Sequence, residues 1–162
     1  MLKKIYNKVT HEWDTSVEEA LKSFIRLPAL SPDFDKKWEE NGVLLKALED
    51  AQAWAEKQGI KGLRCEIIKD DGFTPCLFVE VDATSDKKFE RSVFFYGHLD
   101  KQPPNEGWDQ DKSAWEPVIQ NGRLYGRGAV DDGYAFYTSL AAVKALQTLG
   151  IPHPRCVGLF ET

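Results

Sequence analysis

The chain has only three histidines and three cysteines among its 162 residues. The thiols, Cys65, Cys76 and Cys156, are odd in number and widely spaced, with no C-x-x-C pair. That excludes a cysteine-based zinc knuckle and fits reduced thiols in a cytoplasmic protein rather than a disulfide framework. Any metal must then be held by histidine and carboxylates. An excess of positive charge is also lacking. The 21 basic and 26 acidic residues give a net charge of −5, which leaves no footprint for nucleic acid and no reason to expect membrane binding. No apolar run reaches the roughly 20 residues a membrane helix needs. The opening M-L-K-K-I-Y-N-K-V-T has lysines but no apolar h-region, so no secretory signal is expected. Internal repeats and low-complexity tracts are missing too.

What is present is an ordinary globular composition, 42% hydrophobic and 29% charged. A domain of this length buries about 70% of the surface its unfolded chain exposes. Trp13, Val17, Ala20, Leu21, Phe24 and Ile25 have helical spacing and predict a helix over 12–26, ended by Pro28 and Pro32. A second helix is expected over 39–58, stopped by Gly59, with Leu44, Leu45, Leu48, Ala51, Trp54 and Ala55 buried. The period then changes. Strands are expected over 63–69 and 76–81, joined as a hairpin by Asp70-Asp71-Gly72. A polar connection over 82–88 leads to S-V-F-F-Y at 92–96, apolar throughout, which predicts a strand buried on both faces. A long loop over 101–117 follows, of the length that usually carries function. Asn121-Gly122 reads as a tight turn, 134–149 as a helix and 156–160 as a final strand. Strands interleaved with helices give the α/β class, with a mixed sheet and flanking helices.

Two segments carry chemistry. Gly97-His98-Leu99-Asp100 stands at the C-terminal end of the most apolar strand, where open α/β sheets bind ligands. His98 and Asp100 share a side of an extended segment. A ligating histidine usually gives its second ring N–H to a carboxylate, so H-x-D can supply a ligand and its support together. The second segment is Gly126-Arg127-Gly128-Ala129-Val130-Asp131-Asp132-Gly133, just ahead of a helix. Its glycines imply unusual backbone angles or close approach, and its aspartates lie where the helix dipole favours negative charge. Read alone, one aspartate could be only an N-cap. A phosphate loop would need a following Gly-Lys-Ser/Thr, which is missing.

Together, G-H-L-D, a tryptophan-containing loop and N-G-R-L-Y-G-R-G-A-V-D-D resemble the aminoacylase–carnosinase superfamily of di-zinc peptidases and deacylases. The resemblance runs from about Val93 to Glu161, with an echo in F-I-R-L-P-A-L-S from Phe24 to Ser31. G-H-L-D-x-Q-P with a nearby G-W looks most like the carnosinase and non-specific dipeptidase branch. The resemblance implies that His98 ligates one zinc and Asp131 bridges two. It makes Asp100 the catalytic-site carboxylate that orients His98, leaves Asp132 outside the ligand set, and has the loop from Trp108 to Pro117, with Trp115, line part of the cleft. It also implies a zinc-exopeptidase-like fold of which residues 1–162 are the N-terminal portion of the catalytic domain.

The chain departs from the family in two places. Gly133-Tyr134 stand where the family usually has Lys-Gly. The glutamate pair that supplies the general base and a further zinc ligand is not reached; Glu161 matches a residue before it. The inserted dimerisation (lid) domain and the C-terminal part of the catalytic domain are likewise expected to be missing. The implied parent is a zinc-dependent hydrolase of a small peptide or N-acyl amino acid, able to form a homodimer. With only His98 and Asp131 as ligands, the chain itself is expected to bind zinc weakly or not at all and to be inactive. Two other readings stand beside this one: a truncated relative acting as a binding or assembly module through its ending strand, and a plain α/β domain whose glycine-rich segment is only a turn. His11, His153 and the tryptophans at 13, 38 and 54 read as surface, loop and packing residues, and Cys156 as a buried inert thiol.

Overall fold

The computed structural model of the protein describes residues 1–84 and 91–162. Most of the polar connection expected over 82–88 lies outside the described residues. The chain opens with helix α1 (Leu2–Glu12), which passes through a wide turn at Trp13–Val17 into α2 (Glu18–Arg26). The helix therefore begins ten residues earlier than the apolar pattern predicts. Leu2, Ile5 and Val9 do have helical spacing, but Leu2 and Val9 face solvent, so the stripe is too weak to read. The second predicted helix is two: a single turn, α3 (Trp38–Asn41), and α4 (Val43–Glu56). Gly42 divides them in the left-handed conformation (φ 67°), and Asn41 Oδ1 accepts the Val43 amide at 3.0 Å to start α4.

Strands β1 (Leu63–Ile68) and β2 (Cys76–Val81) form the expected hairpin, and β3 (Val93–His98) follows. A small hairpin, β4 (Val118–Gln120) and β5 (Arg123–Tyr125), turns at Asn121-Gly122, both at positive φ, as a two-residue hairpin loop requires. Helix α5 (Tyr134–Thr148) and strand β6 (Cys156–Glu161) complete the chain. The main sheet has the order β1-β2-β6-β3. Its first two pairings are antiparallel, and β6 runs parallel to β3. The expected mixed sheet with flanking helices is what forms.

The helices pack on one sheet face. Leu77, Val79, Val81, Cys156 and Phe160 point into the core there, against Leu21, Phe24, Leu48, Phe136 and Leu140. Trp54, Phe136, Tyr137 and Phe160 meet edge to face at centroid distances of 4.9–5.9 Å, a geometry the ring quadrupoles favour.

Two expectations about strands are corrected. β3 is not buried on both faces: Phe94 is 62% and Tyr96 56% exposed. β3 lies at the sheet edge, and the helices cover only the face that carries Phe95 and Gly97. The last strand is not free to pair with another chain, because β6 lies between β2 and β3. No helix among the described residues is long and apolar enough to cross a membrane. All three cysteines are free thiols, and burial raises the pKa of the Cys156 thiol.

One buried charge ties the N-terminal helix down. Glu12 is 3% exposed and receives Lys8 at 2.5 Å and Lys144 of α5 at 2.7 Å. Burial opposes its ionisation, but the two lysines outweigh burial and lower its pKa. A lowered carboxyl pKa adds stability above the unfolded value of about 4.3, and that stability is lost as pH falls through the folded pKa. Glu12→Gln is expected to cost about 3 kcal/mol at neutral pH and to flatten the acid limb of a urea-midpoint-versus-pH curve.

Candidate metal centre

β3 and its parallel neighbour β6 end side by side, so His98 stands opposite Glu161 in register. The ladder continues one step, with the Leu99 amide donating to the Glu161 carbonyl at 2.7 Å. The strand ends therefore fix His98 at the C-terminal sheet edge, as the sequence pattern placed it. The glycine-rich turn enters beside it. Gly97 is required here: a Cβ would stand 2.8 Å from Asp132 Oδ2 and 3.0 Å from Ala135 Cβ. Without a side chain, the strand lets the turn and the start of α5 approach directly.

His98 is held between two carboxylates. Its Nδ1 lies 3.0 Å from Asp100 Oδ1, and its Nε2 lies 3.1 Å from Asp131 Oδ1. Burial opposes protonation of the ring; Asp100, then Asp131 and Asp132, outweigh burial and raise its pKa. Asp132 lies half-buried behind the strand, and its pKa is raised chiefly by desolvation, with His98 pulling the other way. Neither aspartate caps α5: its N-cap is Gly133, with no side-chain cap bond. The N-cap alternative is thereby removed. The Asp131–Asp132 peptide is cis.

The donor geometry suits a zinc-like ion. If Nδ1–H donates to Asp100, then Nε2 is a lone pair facing a carboxylate oxygen, and two acceptors need a proton or a cation between them. Bonds of about 2.0–2.1 Å at a tetrahedral angle would separate two ligating atoms by about 3.3 Å, close to the 3.1 Å between Nε2 and Oδ1. The ligand number falls short, since no group of three or more His, Cys, Asp or Glu residues that could hold a metal occurs among the described residues.

The cavity beside His98, about 260 Å³, is lined by Ser31, Asp100, Glu161 and Thr162 as well as the histidine. Sequence reasoning missed Ser31 and Thr162 here, and set Glu161 aside. Tyr96 OH donates to Glu161; strand register was the one signal that could have shown this. No residue of the loop from Trp108 to Pro117 lines that cavity, and Trp115 instead lies 5.4 Å from the Lys101 ammonium.

Lys101 is the other residue that sequence reasoning passed over. It is 1% exposed, with its Nζ 3.9 Å over the Phe24 ring. The ammonium donates to three carbonyls at the end of α2: Phe24, Ile25 at 3.3 Å and Leu27 at 2.6 Å. A lysine there adds a charged donor to carbonyls at the helix end, where the Phe24 carbonyl also accepts the Leu27 amide at 3.1 Å. Burial pushes its pKa down to about 7, while the three acceptors favour the charged form. Its backbone is pinned as well, since the Ser31 amide donates to the Lys101 carbonyl at 2.9 Å. The glycine-rich turn rests on the same pair of side chains. A Cβ at Gly128 would meet Lys101 Cε at 2.8 Å, and one at Gly133 would meet the Phe24 ring at 2.4 Å. The departure at Gly133 thus has a physical account: the Phe24 ring fills the space a lysine side chain would leave through.

Residues 94–162 match the model of peptidase family M20/M25/M40. The match lies in the C-terminal part of the chain, which holds His98, Asp100 and Asp131. The chain is 36% identical over 67 residues to the Cys-Gly metallodipeptidase dug1 of Schizosaccharomyces pombe, covering 40% of this chain and 14% of that protein. It is 49% identical over 51 residues to succinyl-diaminopimelate desuccinylase of Acidiphilium cryptum, covering 32% of this chain and 13% of that protein. Its fold matches the dipeptidase Dug1p of Saccharomyces cerevisiae and human carnosine dipeptidase 1. Each has a TM-score of 0.71 at 22% identity, over 99% of this chain and 34% of the other. The chain therefore spans about a third of the length of these two structures.

Two outcomes test the local physics. In metal-free protein, the His98 imidazole is expected to titrate above the ordinary 6.5, and Asp100→Asn to lower that value, by two-dimensional NMR. A raised histidine pKa adds stability that is complete below the unfolded pKa and is lost as pH rises through the folded one. The metal-free protein should therefore lose this increment on the alkaline side. Lys101→Met, which keeps the stem but removes the ammonium that donates to these three carbonyls, is expected to lower unfolding stability by about 2–3 kcal/mol in urea.

Proposed function

We propose that this chain carries part of the metal site of a hydrolase that cleaves the amide bond of a small peptide or N-acyl amino acid. One observation carries the reading: His98 Nε2 and Asp131 Oδ1 converge at 3.1 Å while Asp100 holds the far side of the same ring. In this reading His98 and Asp131 are the metal ligands. Asp100 fixes the His98 tautomer so that the Nε2 lone pair faces the metal, and raises its basicity. Bound zinc would polarise the scissile carbonyl and lower the pKa of its water. The dipeptidase and desuccinylase relatives support the substrate class, a short substrate with one amide bond.

Catalytic zinc sites normally use three protein ligands and a water, and the described residues bring two together. In this reading a further ligand and the general base come from polypeptide beyond the described residues, which accords with a chain spanning about a third of its structural neighbours. The chain alone binds zinc weakly and does not turn over. In the parent, two zincs and a homodimer accord with the family resemblance, and free thiols accord with a cytoplasmic setting. The module reading has lost its support, because the strand offered for pairing is internal.

Zinc titration against a chromophoric chelator is expected to show weak binding by this chain, abolished by His98→Ala and by Asp131→Ala. Asp100→Asn should weaken metal affinity about 10–100-fold. In the full-length parent the same ligand changes should abolish dipeptide hydrolysis. Dipeptide turnover by the zinc-loaded 162-residue chain would overturn the incomplete-site assignment; unchanged activity of the parent with His98→Ala would overturn the function itself.

A further inference from the structure

The turn that carries Asp131 has almost no clearance beneath it. A Cβ at Gly126 would stand 2.5 Å from Ile25 Cγ2. One at Gly128 would stand 2.8 Å from Lys101 Cε and 3.0 Å from Phe24 Cε1, and one at Gly133 would run into the same ring. The Gly133 amide donates to the Gly128 carbonyl at 2.9 Å and closes the turn. These glycines let the backbone lie directly on the end of α2 and on the Lys101 stem.

Asp131 contributes little to its own placement. Its side chain is 62% exposed, and its backbone is not helical (φ −116°, ψ 92°). A carboxylate so exposed takes its place from the backbone that carries it. The 3.1 Å approach to His98 Nε2 therefore follows from where the turn is seated.

That seat has one polar anchor. Lys101 is 1% exposed and follows Asp100 directly in the chain. Its backbone pairs with Leu30 and accepts the Ser31 amide. Its ammonium donates to the Ile25 and Leu27 carbonyls at 3.3 and 2.6 Å and lies 3.9 Å over the Phe24 ring. A lysine stem is flexible, but this one is pinned at both ends, with Gly128 resting on its Cδ and Cε. We infer that Lys101 is a positioning residue of the metal centre: anchored on α2, its stem sets the height of the glycine-rich turn and so the approach of Asp131 to His98. The geometric part stands on these contacts alone, and its bearing on metal rests on the hydrolase reading.

The experiment uses the 162-residue chain, folded at neutral pH. The nitrogen chemical shift of His98 Nε2, which reports the nearby Asp131 oxygen, is read by two-dimensional NMR in metal-free protein. Zinc affinity is read by competition with a chromophoric chelator. Lys101→Met is expected to move the Nε2 shift and to weaken zinc binding at least about tenfold. Glu12→Gln, which is destabilising at the contact of α1 with α5, is expected to change neither reading. The inference is overturned if Lys101→Met leaves the Nε2 shift unchanged, or if Glu12→Gln moves it as much. Should Lys101→Met not fold, Phe24→Leu is read in its place. It keeps the lysine but thins the support under Gly128 and Gly133, and an unmoved Nε2 shift there overturns the inference as well. His98→Ala separates the two readings. If it abolishes zinc binding while Lys101→Met does not weaken it, the positioning role in the metal centre falls and the hydrolase reading stands. If His98→Ala leaves zinc binding intact, the hydrolase reading falls, and the Nε2 shift alone decides what places Asp131.

Discussion

The ammonium of Lys101 is the interaction on which the rest of the site depends. It leaves the strand that carries the H-x-D segment, crosses beneath the glycine-rich turn and ends on three carbonyls of α2. One side chain thus connects the element holding His98 and Asp100, the turn holding Asp131, and the helix beneath both. The geometry works because the lysine is almost wholly enclosed and its partners are carbonyls gathered at a helix end, where a cation is favoured. A carboxylate partner would have added a negative charge to a region that already holds Asp100, Asp131 and Asp132.

That concentration of negative charge is the second constraint. Three carboxylates surround one imidazole, and they draw its pKa upward against burial. Without metal, a proton between Nε2 and Asp131 relieves the repulsion; a divalent cation relieves it more strongly. A metal ion held there, as proposed, would compete with ring protonation for the same lone pair, so its affinity would rise with pH. The parallel pairing of β3 with β6 adds a fourth carboxylate, Glu161, at the cavity rim, where the Tyr96 hydroxyl engages it.

Local patterns gave a good account of most elements. The hairpin of β1 and β2, the Asn121-Gly122 turn, α5 and the final strand all follow from periodicity and turn residues. The misreadings share a cause. The S-V-F-F-Y run looks like a strand enclosed on both sides, yet enclosure depends on what packs against the far face, and here nothing among the described residues does. The start of α1 was hidden because its anchor is a single buried ion pair between Glu12 and Lys144, far apart in sequence, rather than an apolar stripe. The break at Gly42 was hidden because the apolar spacing runs through it.

The candidate site divides in the same way. The family resemblance carried by G-H-L-D and L-Y-G-R-G-A-V-D-D implied that His98, Asp100 and Asp131 belong together; residue types and placement alone left an N-cap reading of the aspartates open. The sequence by itself determined that cysteine could not hold a metal here. Tertiary structure decided the rest: the 3.1 Å approach of Asp131 to His98, the arrival of Ser31, Glu161 and Thr162 at the same cavity, and the Phe24 ring that requires glycine at 133. Each of these depends on which distant segments share a space. A one-dimensional pattern states what a residue can do; only packing states what it meets.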